Sequence, residues 1–204
     1  MTPANMPAEH EKPWAPLTPL DVLRLFQSAT FPWWIAGGYA IELALGRSIR
    51  PHHDIDVLIL RRNQLAAQAL LRDHDCWVAD PPGTLRRWLP GETLPLGVHD
   101  IWCRETPAGP WKLQLMIDES DGEEWRSRRC REVHRPLKSL GGVSRDGIPY
   151  LSLEVQLYGK AKAPREKDEI DFAAALPVLE PHQRAWLAEA IATAFGSHPW
   201  ICRL

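Results

Sequence analysis

The stretch covering residues 33–60 constrains the fold most. An apolar run, Trp33-Trp34-Ile35-Ala36, ends in Gly37-Gly38. A helix-spaced segment over residues 39–45 follows, with Gly46 placed to end it, and a second apolar run opens with Asp54-Ile55-Asp56 and continues to Leu60. In a strand, residues i and i+2 share a face. Asp54 and Asp56 would then stand side by side while Ile55, Val57 and Ile59 pack on the other face. Two adjacent carboxylates repel each other unless a cation sits between them. A hard divalent ion that keeps some of its waters and takes its other ligands from phosphate suits such a pair. Phosphoryl or nucleotidyl transfer is therefore the first expectation. The spacing alone singles nothing out, because Asp73/Asp75 and Glu169/Asp171 share it. What sets Asp54 and Asp56 apart is their place at the head of the most strand-like run, after a strand, a Gly-Gly turn and a helix.

The rest of the chain frames this unit. At 204 residues, 45% of them apolar and ten of them Trp, it is long enough for one packed domain with a helical appendage. A net charge of −2 gives no global basic field to recruit nucleic acid. Four scattered cysteines without a Cys-x-x-Cys read as free thiols. No apolar run approaches membrane-spanning length and no apolar signal core opens the chain, so a cytoplasmic protein without a membrane partner is expected.

Residues 1–17, rich in Pro, Ala and charge, read as a loose arm. Thr18-Pro19-Leu20-Asp21 is a helix-capping signature, and Gly37-Gly38 lets the backbone turn and approach an anion before a helix whose positive end faces the turn. Arg47, Arg50, His52 and His53 form a basic loop before the Asp pair. A helix over 64–72 and a strand over 76–79 make a crossover unit. Residues 80–97 read as an irregular loop in which Trp88 either covers a substrate or packs on the sheet. Two strands, 98–104 and 111–117, are joined by a turn, and Gly141-Gly142 with Asp146-Gly147 bracket a hairpin up to Tyr150. Ser152, Pro164 and Pro181 open three C-terminal helices, the last stopped by Gly196.

Gly-Gly, a helix and Asp-x-Asp at the head of a strand resemble the nucleotidyltransferase fold superfamily. The fifteen residues between Gly38 and Asp54 resemble the spacing of its aminoglycoside and lincosamide nucleotidyltransferase branch. A second match is the segment from Lys160 to Asp171, with Arg165, Lys167 and Asp168. The resemblance implies an α/β (α+β) fold: a small mixed β-sheet flanked by helices, with a C-terminal helical bundle. Residues 18–148 would form the catalytic domain, and residues 149–204 would wall an acceptor pocket.

It further implies a Mg-dependent enzyme moving a nucleoside monophosphate, AMP from ATP or its counterpart from another nucleoside triphosphate, to a hydroxyl of a small acceptor such as an aminoglycoside-like antibiotic. Asp54 and Asp56 would hold one or two magnesium ions and Gly37 and Gly38 would lie along the triphosphate. Arg129 and Lys160 would contact phosphate, and Glu154 would act as base or position the acceptor. The sequence departs from the family at Gln114, where a third carboxylate is expected. Asp118, on the same strand face, is the preferred substitute and third metal ligand, with Asp100 as the other candidate. Gln114 also leaves open a catalytically weakened, nucleotidyltransferase-like binding module or a toxin–antitoxin component. Oligomeric state is not legible.

Overall fold

The computed structural model describes residues 9–204. Helix α1 (Pro19–Leu25) begins at Thr18, whose hydroxyl oxygen accepts the Asp21 amide while the Asp21 carboxylate accepts the Thr18 amide. It leads into β1 (Trp33–Ile35), α2 (Gly37–Leu45) and β2 (Asp56–Leu60). Gly46, at φ 65°, ends α2 in the left-handed conformation that glycine adopts without steric cost. Helix α3 (Gln64–Leu70) is followed by β3 (Asp75–Ala79), β4 (Leu85–Arg87), β5 (Asp100–Arg104) and β6 (Leu113–Asp121). Four short strands, β7 (Glu124–Arg126), β8 (His134–Pro136), β9 (Gly141–Val143) and β10 (Pro149–Leu151), precede helices α4 (Leu153–Ala161), α5 (Glu166–Ala175) and α6 (Pro181–Phe195).

The strands form one mixed sheet in the order β4-β3-β5-β6-β2-β1-β10-β9, with β7 and β8 continuing from β6. The β2/β6 and β1/β10 pairs are parallel and the other pairs antiparallel. The sheet is larger than the small one expected. Part of residues 80–97, expected as loop, supplies β4 against β3, and β10 joins β1, so the last segment enters the sheet before it turns helical. Strand β2 is buried on both faces, which is why it reads as a continuous apolar run. Val57 and Ile59 pack with Val22, Phe26 and Ala67 from α1 and α3. Leu58 and Leu60 pack with Ile41, Leu157, Phe172 and Ile191 from α2, α4, α5 and α6.

The expected loose arm needs correction where it is described. Residues 9–17 are fastened to the edge of the β5–β6 hairpin: the Trp111 amide donates to Pro13, and those of Ala15 and Leu17 donate to Trp111 and Lys112, each at 2.9 Å. Trp14 anchors them edge-on against Trp102. Its apolar bulk outweighs the Pro- and charge-rich composition around it. Residues 1–8 of that arm lie outside the described residues. All four cysteines are free, and no helix among the described residues is long and apolar enough to cross a membrane.

Candidate active site

The site is built where β1 turns into α2 beside the head of β2. The Ala36 amide donates to the Asp56 carbonyl at 2.8 Å, locking the turn to the strand. Gly37 sits at φ +66°, and a Cβ there would stand 2.2 Å from Asp56 Oδ2. Only glycine meets both conditions. Its amide donates to Gln156 Oε1 at 3.0 Å, which ties the turn to α4. Gly38 has a different role from the one expected. The space a Cβ would take holds Arg50 Nη2 and His52 Cε1, each 2.3 Å from that position, so the missing Cβ of Gly38 admits the chain's own loop.

That loop is held from two sides. Glu42 Oε1 accepts the amides of Ile49 and Arg50 and lies 3.0 Å from His52 Nε2. Arg50 forks onto Asp171 at 2.8 and 2.9 Å. Two members of the basic loop are thus turned inward. Asp54 and Asp56 follow it; β2 begins at Asp56, so Asp54 stands just before the strand and not within it as expected. Among the described residues neither carboxylate has a hydrogen bond or ion pair. Burial and the neighbouring charge of Asp54 push the Asp56 carboxyl up to about 7, against the pull of Lys160. An uncompensated pair of hard oxygen donors fits magnesium, which binds through one or two carboxylates plus substrate phosphates. No group of three His, Cys, Asp or Glu side chains converges as a metal cage among the described residues.

An open cleft of about 250 Å³ lies beside Asp56, lined by Gly37, Arg129, Gln156, Lys160 and Arg165 among others. Gly37, Asp56, Arg129 and Lys160, distant in sequence, meet here. Lys160 lies between Asp168 and Asp171, at 2.7 and 2.8 Å. Although burial works against it, hydrogen bonds from Arg165 and Lys160 hold Asp168 well below the usual carboxylate range. Asp171 is held down in the same way by Arg50 and Lys160. Arg129, lowered by burial and by Arg128 beside it, donates to the Gly159 carbonyl. Gln156 and Lys162 escaped sequence reasoning, and Arg50, read as part of a basic loop, turns inward to Asp171. The spacing of Gln156 and Lys160, one helical turn apart, was the available signal for the first.

Three expected roles are corrected. Asp118 is no partner of the pair. The register sets Asp56 opposite Gln114 and Leu60 opposite Asp118, which puts Asp118 about 13 Å further along the strand. Its carboxylate accepts Trp125 Nε1 at 2.8 Å and faces Arg128 at 3.4 Å. Glu154 points away from the cleft and is buried, bound by Arg135 at 2.8 Å and Gln183 at 2.7 Å. These bonds hold α4 to its neighbours, and the open space that Glu154 does line is a different one, shared with Arg135 and Gln183. Trp88 is buried, its Nε1 donating to the Glu92 carbonyl, so it packs on the sheet and does not cover the cleft. Asp100 remains: Gln114 Nε2 donates to its Oδ1 at 3.0 Å, and its charge reaches Asp56.

A glycine turn bound to an unpaired Asp-x-Asp, with a cation-lined cleft over a mixed sheet, defines a nucleotidyltransferase-type fold and site. Residues 19–175 match the model of the aminoglycoside-2''-adenylyltransferase family, and the chain belongs to that family of nucleotidyltransferase enzymes. In fold it is similar to ANT(2'')-Ia in complex with adenylyl-2''-tobramycin, at 16% identity over 84% of this chain and 93% of that one, with a TM-score of 0.54. It is also similar to the lincosamide antibiotic adenylyltransferase LnuA, lincomycin-bound, at 17% identity over 78% and 95%, with a TM-score of 0.55. No curated protein matches the chain in sequence.

Proposed function

We propose that this protein transfers AMP from ATP to a hydroxyl of a small acceptor of the aminoglycoside type. The observation that carries the reading is the unpaired Asp56, with the charge of Asp54 acting on it, in a cleft lined with cations. Magnesium held by Asp54 and Asp56 would neutralise triphosphate charge and acidify the acceptor hydroxyl. The chain's own residues supply the rest. Gly37 keeps Asp56 against the turn, and the first-turn amides of α2 carry the positive end of the helix. Lys160, steadied by Asp168 and Asp171, and Arg129 with Arg165 line the path for phosphate oxygens. Asp100, oriented by the Gln114 amide, accepts the hydroxyl proton in place of the carboxylate missing at Gln114. The four free thiols suit a reducing cytoplasm.

Gln114 favours one second reading, a module that binds nucleotide without turning it over. Calorimetry with magnesium and a non-hydrolysable ATP analogue tests the site common to both. Asp54→Asn and Asp56→Asn each weaken magnesium-dependent binding about tenfold or more. Equal affinity in both variants and the parent would remove the Asp pair from the site. Release of pyrophosphate by the parent separates the enzyme from the module.

A further inference from the structure

The cleft under α4 and α5 occupies one side of Asp56. On the other side the sheet runs on through β6, β5, β3 and β4, and its registers set Gln114, Trp102, Trp77 and Arg87 in one row with Asp56. Directly paired residues share a face, so the row stands on the face that carries Asp56. Arg87 is exposed and the other four are partly buried. The apolar cluster beneath α4, α5 and α6 includes no residue of β3 or β5. Trp14 meets Trp102 edge-on, with ring centroids 5.1 Å apart. At the usual strand separation Trp102 lies about 10 Å from the Asp56 backbone and Trp77 about 14 Å. A hydroxyl held at Asp56 with one or two sugar rings behind it covers that span.

The chemistry of the row matches such an occupant. Partly exposed indoles bind the C–H faces of saturated rings and attract nearby ammonium groups. Trp77 already has the guanidinium groups of Arg87 and Arg104 at 5.5 Å from its ring. Trp102 has neither, meets Trp111 edge-on at 5.6 Å as well as Trp14, and is nearer to Asp56. Gln114 adds one amide between the indole and the carboxylate. Trp102 and Trp77 are not among the residues that line the cationic cleft.

Building on the transferase reading, we propose that Trp102, with Trp77 beyond it, is the acceptor subsite: Trp102 stacks an amino-sugar ring whose hydroxyl is presented at Asp56. The test uses tobramycin as probe, titrated by calorimetry into protein saturated with magnesium and a non-hydrolysable ATP analogue, and the analogue titrated alone. Trp102→Leu weakens tobramycin binding about tenfold and Trp77→Leu weakens it less, while the analogue binds as to the parent. Trp102→Phe restores part of the loss. Analogue binding also reports folding; should Trp102→Leu not fold, Trp102→Phe and Trp77→Leu decide by the same criterion. The subsite is overturned if tobramycin does not bind the parent protein, or binds both leucine variants as tightly. It is also overturned if the analogue is weakened instead, which would put a nucleobase on the platform. A parent protein that binds tobramycin but not the analogue would sink the transferase reading and leave the platform as a sugar-binding surface.

Discussion

Asp56 has no partner among the described side chains, whereas Glu154 has two. On the proposed reading the unpaired carboxylate serves chemistry and the paired one serves packing. Glu154→Gln is expected to leave kcat near the parent value and to lower stability by about 1–3 kcal/mol in urea melts, because a buried charge-assisted pair with Arg135 is lost. A large fall in kcat without loss of stability would return Glu154 to the reaction. Asp100→Asn should lower kcat about 100-fold or more with nucleotide affinity unchanged, as expected of a lost proton acceptor. Gly37→Ala is predicted to displace Asp56 and weaken magnesium-dependent nucleotide binding, since its Cβ meets Asp56 Oδ2 in a left-handed backbone. Normal binding by that variant would show the close approach to be dispensable. The Asp pair and the Gly-Gly turn were legible because both are local patterns. The purpose of each glycine was not, because it depends on what packs against the missing Cβ.

At the scale of elements, Arg50, Asp171, Lys160 and Asp168 join the loop before Asp54 to α4 and α5. Asp171 is fully buried, so Asp171→Ala strands Arg50, leaves Lys160 with Asp168 alone, and costs about 3–5 kcal/mol of unfolding free energy. Both carboxyls titrate below their ordinary range in the folded protein. Their contribution to stability is therefore complete above the unfolded pKa of about 4 and is lost as pH falls through the folded values. Urea melts between pH 7 and pH 3 should show stability dropping below about pH 4. The drop should be shallower in Asp171→Asn; equal slopes would show that the network does not set acid stability. Helices α1 and α2 and strand β2 could be read from caps, glycines and apolar runs. The Arg50–Asp171 pair spans 121 positions, and no local pattern announces it. The displacement of Asp118 likewise follows from the register between β2 and β6, which a reading of β6 alone cannot supply.

In the whole molecule, one sheet separates two apolar cores. One core closes over α1 and α3; the other carries the C-terminal helices that bring Gln156 and Lys160 to the Asp pair. The β5–β3 side of the carboxylate face lies outside the second core, and the described part of the arm reaches it through Trp14. This arrangement puts the cations of the cleft on one side of Asp56 and the tryptophan row on the other. The most direct test of the account is product analysis by mass spectrometry, with pyrophosphate release measured in parallel. The protein is supplied with magnesium, each of ATP, GTP, CTP and UTP, and tobramycin or lincomycin. The account predicts a nucleotidylated antibiotic with ATP, pyrophosphate released only when the acceptor is present, and neither product from Asp56→Asn. Product formation that survives in Asp56→Asn, or no product with any triphosphate and acceptor, would contradict it.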